Sequence, residues 1–162
     1  MLTRILVGFA FIPSGLKKAL GERFTSISVD NPIGFFFEAL YQTGIYWQFL
    51  GLAQLLTALL LMSQRFATLG AILFFFISSN IWIITISMNF TGTWIITSLM
   101  MLAAVLLLIW DLRKISLLVM PDNFTANIST TKYPTYNKYW IITGLLLFTI
   151  CIGLLLIGGV GK

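Results

Sequence analysis

The sequence predicts an all-α fold, a polytopic bundle of membrane helices, and three observations support this. Hydrophobic residues make up 59% of the 162 residues and charged residues only 9%, whereas a soluble domain carries about 25% charged residues. The apolar residues also gather in runs near the roughly 20 residues that a helix needs to cross a bilayer. Because polar side chains are too few to cover this much apolar surface in water, one compact domain in lipid is expected.

Four apolar runs are long enough, or nearly so, to span the bilayer: 45–62, 67–88, 93–110 and 139–160. A fifth run, 2–16, reaches spanning length only if its helix continues through Lys17 and Lys18. Tyr and Trp residues near the ends of the runs fit the aromatic belts at membrane interfaces. Five helices are therefore predicted, and the first depends on that continuation.

The distribution of Lys and Arg favours a cytoplasmic N-terminus, because positively charged residues in short loops tend to stay on the cytoplasmic side. That orientation places six of them inside: Arg4, Arg65, Arg113, Lys114, Lys132 and Lys138. Four lie on the other side: Lys17, Lys18, Arg23 and Lys162. The prediction is a multi-pass protein with its C-terminus outside.

Two longer connections separate the spans. In the first, Asn31 precedes Pro32, and since Asn caps helices well and Pro suits the first turn, a short helix near 31–43 is predicted. It is too short to cross, so it is expected at the interface or re-entering the protein. The second connection, 116–138, is a polar loop before a C-terminal transmembrane helix at 139–162.

Several kinds of chemistry are excluded by composition. The sequence has no histidine and one cysteine, Cys151, which rules out His-ligated haem, His-bound zinc, imidazole catalysis and an internal disulfide. The net charge of +5 is assigned to basic loops beside the spans and not to nucleic-acid binding. No catalytic residue, no metal ligand and no intrinsic cofactor is assigned.

The candidate functional residues are polar groups within or beside apolar helices, because ionisable groups at membrane depth are costly and indicate function. Lys18 shares a helical face with Gly8 and Gly15 and could turn inward, where it would need a carboxylate. Glu38 is the first candidate and Glu22 the second. The predicted binding pocket comprises Lys18, Glu22, Glu38, Tyr41, Gln54 and Asn80.

A simpler interpretation of the same residues stays open. Lys17 and Lys18 could extend to the headgroup layer along their apolar stems. Gln54 and Asn80 could do no more than link helices through hydrogen bonds worth roughly 1 kcal/mol each.

Three segments together resemble a known family: 8–18, which contains Ser14-Gly15 and ends in Lys18, 31–41, and 51–67. They are similar to motifs of the DoxX-like membrane proteins, and the resemblance covers about residues 1–115. It implies a four-helix core in the bacterial cytoplasmic (inner) membrane. Pro13, a longer loop at 21–30 and the extra C-terminal helix depart from the family pattern.

Some DoxX-like proteins are linked to quinone-coupled sulfur oxidation or to oxidative-stress complexes, and most have no established activity. The leading hypothesis is a binding or accessory subunit that holds a lipophilic small molecule, a quinone or a lipid, or supports a membrane redox partner. The alternatives are a quinone-linked oxidoreductase subunit and, with less support, a small transporter or channel. Besides the lipid bilayer, no partner, oligomeric state or enzymatic activity is fixed by the sequence.

Overall fold

A computed structural model describes residues 2–119 and 138–158, and within these ranges every regular element is an α-helix. The helices are α1 (Leu2–Ala19), α2 (Pro32–Gln42), α3 (Ile45–Met62), α4 (Ala67–Ser87), α5 (Thr93–Val119) and α6 (Lys138–Ile157). Four of them, α3 to α6, are long and apolar enough to cross a membrane. The all-α class and the multi-pass membrane character predicted from composition are confirmed.

Helix α1 continues through Lys17 and Lys18, as the prediction of five spans required, and Pro13 lies inside it. Its 18 residues correspond to a length of about 27 Å. With Arg4 and the two lysines it is more polar than the other long helices and is not among the four apolar spans.

Glycines bring α1 and α3 into close antiparallel contact. Gly8 lies against Met62, and eleven residues later Ala19 lies against Gly51, the seventh residue of α3. A Cβ atom at Gly51 would overlap the backbones of Ala19 and Gly15. Because small residues let helix backbones approach in lipid, α1 follows α3 over most of its length.

Helix α3 is central, since it packs against α1, α4 and α6, while α5 packs mainly on α4. Phe11 of α1 and Phe74 of α4 form a buried ring contact with centroids 4.9 Å apart. Helix α6 approaches α3 through Gly144, which lies against the Met62 carbonyl, and contributes Cys151 to the core.

The short helix α2 begins as the sequence predicts. The Asn31 side chain accepts a 3.1 Å hydrogen bond from the Ile33 amide, and Pro32 occupies the first turn. Eleven residues give a length of about 16 Å, which is too short to cross a bilayer.

The sequence prediction ended α5 too early. Residues 116–119, assigned to the polar loop, continue the helix to Val119. The physical reason is that no glycine or proline follows Thr93 until Pro121, so nothing interrupts the helix earlier. The rest of the predicted loop, 120–137, and residues 159–162 lie outside the described residues.

Candidate functional site

Lys18 points into the bundle. Its side chain is only 8% exposed, and its Nζ atom donates 3.0 Å hydrogen bonds to Ser14 Oγ and Gln54 Oε1. Ser14 lies one turn earlier on α1, the direction in which helical side chains lean. Gln54 is the tenth of the 18 residues of α3, so the ammonium lies level with the middle of a membrane-length helix.

Two aromatic rings flank the same ammonium. The Nζ atom lies 4.9 Å from the ring centroid of Phe24 and 5.5 Å from that of Trp47, within the range of cation–π attraction. Trp47 is itself fixed, because its Nε1 donates a 2.9 Å hydrogen bond to the Glu22 backbone carbonyl. The lysine is therefore held by two oxygens and two ring faces.

Lys18 lines a cavity of about 550 Å³ between α1, α3, α4 and α5, with α2 contributing at one end. This volume lies within the range of about 300–1,000 Å³ that is usual for small-molecule sites. The wall is mostly aromatic and aliphatic, and its polar residues include Ser14, Lys18, Gln54, Asn80 and three threonines, Thr85, Thr93 and Thr97. The cavity thus combines an apolar wall with one buried cation.

The cavity extends to the outer surface of the bundle. Tyr46, Phe76, Asn80 and Ile96 all line it and are also exposed. All four belong to α3, α4 or α5, helices that are long and apolar enough to cross a membrane. A lipophilic molecule could therefore reach the cavity from the side of the bundle.

The structure does not bring the predicted acidic partners to Lys18. Glu38 Oε1 instead accepts a 2.9 Å hydrogen bond from Arg23 Nη2 and a 3.3 Å bond from Gln42 Nε2. Among residues 2–119 and 138–158, no carboxylate oxygen lies within 4.0 Å of Lys18 Nζ. The predicted ion pair with Glu38 or Glu22 is wrong, because Lys18 leans toward Ser14 and Arg23 takes Glu38.

The six predicted residues fall into two groups. Lys18, Gln54 and Asn80 line the inner cavity. Glu38 and Tyr41 line a separate outer pocket of about 810 Å³ that also includes Lys17 and Arg23. Glu22 lines neither cavity, and its backbone carbonyl accepts the hydrogen bond from Trp47.

The two amides differ in what they connect. Gln54 joins α3 to α1 through its bond from Lys18, whereas Asn80 donates a 2.9 Å bond to the Phe76 carbonyl of its own helix. The interpretation of Asn80 as a link between helices is therefore not supported by this bond. Its place in the site is on the cavity wall.

A second buried polar cluster lies at the opposite end of α1 and was not predicted. Arg4 Nη2 is 2.6 Å from Asp111 Oδ2, and both side chains are buried. Thr68 Oγ1 donates a 3.2 Å bond to the same oxygen, and Lys114 Nζ lies 3.6 Å from Asp111 Oδ1. This cluster joins α1, α4 and α5.

The sequence contained a signal for the Arg4 cluster. Arg4 precedes Gly8 by four residues, so it lies on the same face of α1 as Gly8 and Gly15. Arg4 was counted with the basic residues on the cytoplasmic side, so its place on the inward face of α1 was missed. Asp111 was missed because the predicted span ended at residue 110, just before it.

Comparisons with protein-family models, with curated proteins and with solved structures found no match for this chain. The function is therefore inferred from the geometry around Lys18.

Proposed function

We propose that this protein holds a lipophilic small molecule in the cavity around Lys18, as a binding or accessory subunit in the membrane. The observation that carries the proposal is a buried ammonium on the wall of an apolar cavity, with no carboxylate within 4.0 Å in the described ranges. A buried charge without compensation costs several kcal/mol. A bound molecule with a hydrogen-bond acceptor would lower that cost.

The proposed arrangement in the membrane has five crossings, with α1 as the first and the N-terminus cytoplasmic. The supporting observation is that α1 packs along α3 from Met62 to Gly51, beside a helix long enough to cross a membrane. The resemblance of residues 1–115 to DoxX-like proteins supports a place in that family and in a bacterial inner membrane. On this account α6 is an addition to the four-helix core.

A quinone-linked oxidoreductase subunit is the second candidate. The same donor, Lys18, could bond a quinone carbonyl. Electron transfer would require the bound quinone together with a partner subunit, because cofactors supply such chemistry. In either case the role of this chain is to bind and orient the molecule.

The proposal is tested by native mass spectrometry of the protein purified from membranes. We expect an adduct of a small lipophilic molecule that organic solvent extracts. Ala10→Phe, which adds a ring to the cavity wall, should reduce the adduct. Leu6→Phe adds a ring at an exposed position of the same helix that does not line the cavity, and should leave the adduct unchanged. Equal occupancy in both variants, or no adduct in the wild type, would refute the proposal.

A further inference from the structure

We propose that the molecule beside Lys18 is an anionic amphiphile, an apolar chain carrying a carboxylate head. This inference rests on the proposed function and specifies the chemistry of the head group. Its basis is the hydrogen-bond network of Lys18, Ser14 and Gln54. The side-chain oxygens of Ser14 and Gln54 already accept hydrogen bonds within this network, and the groups left over are N–H donors at the cavity.

The orientation of Gln54 follows from the chemistry of lysine. A lysine ammonium has three donors and no acceptor, so Gln54 must present its oxygen to it. That oxygen also lies 3.3 Å from Ser14 Oγ, which donates to it. Ser14 Oγ in turn accepts from Lys18. Each side-chain oxygen of the network therefore already accepts a hydrogen bond.

The groups that remain are donors. One of the three N–H groups of Lys18 has no oxygen partner, and Gln54 Nε2 has no hydrogen-bond partner within the described part of the chain. Gln54 and Lys18 are 3% and 8% exposed, and both line the cavity. The ligand that matches this site must supply hydrogen-bond acceptors.

The charge of the site favours an anion over a neutral carbonyl. Glu38 is bonded to Arg23, Asp111 to Arg4, and Asp30 accepts a 2.8 Å bond from Ser28. A neutral carbonyl would satisfy the free donors but leave the ammonium uncompensated. A carboxylate satisfies both requirements, because it accepts the hydrogen bonds and its negative charge pairs with the ammonium.

The shape of the cavity favours an amphiphile over a small free anion. Its wall beyond the polar network is built from residues such as Phe11, Leu50, Ile77 and Met100. These side chains cannot solvate an anion. They do favour an alkyl chain, because its burial contributes about 0.8 kcal/mol per methylene group. The head would lie at Lys18 and the chain along this wall.

The test uses carboxyl-labelled ¹³C-dodecanoate and the full-length protein in phosphatidylcholine nanodiscs. We expect a separate carboxyl resonance for bound dodecanoate in the wild type. Lys18→Met should weaken binding by about thirtyfold or more, since removing one partner of a buried charge pair costs at least about 2 kcal/mol. Lys17→Met alters the adjacent lysine, which lines only the outer pocket, and should bind as the wild type does.

Gln54→Glu is the sharpest variant. It places a carboxylate of nearly the same shape beside Lys18, so the protein compensates its own cation and should exclude dodecanoate. Because this substitution supplies an ion-pair partner, loss of the fold is not its expected effect. Thermal unfolding of the variant separates lost binding from lost structure. Unchanged dodecanoate binding in Gln54→Glu or in Lys18→Met would overturn the inference.

A neutral probe separates this inference from the proposed function. If a long-chain methyl ketone binds in a Lys18-dependent manner and dodecanoate does not, the anionic head is refuted and the lipophile-binding site stands. If dodecanol binds as tightly as dodecanoate, the charge has no role and the inference fails. If none of the three probes binds, both proposals fail.

Discussion

The Lys18 ammonium and the Gln54 side-chain oxygen lie 3.0 Å apart, level with the middle of α3. This contact joins α1 to α3 and holds a cation at the wall of an apolar cavity. The Gly15 and Gly51 contact beside it allows the two helices to approach closely enough for the bond to form. The close packing of α1 on α3 is therefore what brings Lys18 and Gln54 together in the site.

The first prediction concerns the close contact of α1 and α3. Gly51→Ala should destabilise the protein by about 1–3 kcal/mol, because the added methyl group overlaps the backbones of Ala19 and Gly15. Gly153→Ala is the matched control, since nothing lies within 4 Å of a Cβ atom there. Unfolding of both variants in detergent measures the difference. Equal stability of the two variants would show that this contact is not tight.

The second prediction concerns the buried ion pair of Arg4 and Asp111. Arg4→Met should cost about 3–5 kcal/mol, because it leaves a buried carboxylate without its main partner. The double variant Arg4→Met, Asp111→Leu should recover part of that loss, since replacing both charges removes the unpaired one. Unfolding of the single and double variants in detergent tests this.

The exposed pair of Arg23 and Glu38 is the control for the ion-pair prediction. Its two charges are 2.9 Å apart, but the Arg23 side chain is 65% exposed. Arg23→Met should therefore cost no more than about 1 kcal/mol. If Arg4→Met lowers the free energy of unfolding by as little as Arg23→Met does, the ion pair with Asp111 does not stabilise the packing of the helices.

The third prediction concerns the proposed fifth crossing. In a Cys151→Ala background, which we expect to retain ligand binding, single cysteines are placed at positions 2 and 162. A membrane-impermeant thiol reagent should label position 162 in intact cells and position 2 only after the membrane is opened. Position 162 lies outside the described residues. Labelling of both positions from one side would contradict five crossings.

Much of the fold was predictable because lipid imposes simple requirements on a sequence. Apolar runs of membrane length gave the starts of α3, α4 and α5 at the predicted residues, since a helix in lipid needs a continuous apolar surface. The end of α5 was missed because the apolar run stops at residue 110, just before the charged Asp111. A buried partner, Arg4, keeps that charge within the bundle.

The candidate site was predictable in part. Gly8, Gly15 and Lys18 have helical spacing, so periodicity alone predicted that the Lys18 side chain faces the bundle interior. The partner of Lys18 was not predictable, because Glu38 is captured by Arg23, a residue of the connection between α1 and α2. The conformation of such a connection has no sequence periodicity. Residue spacing therefore could not show which cation bonds to Glu38.

The central claim is that Lys18 anchors a lipophilic molecule inside the bundle. The most direct measurement is the ligand occupancy of the wild type, Lys18→Met and Lys17→Met, compared by native mass spectrometry after identical purification. The account predicts that Lys18→Met loses the adduct while the wild type and Lys17→Met retain it. Equal occupancy in all three proteins, or equal loss in both variants, would contradict it.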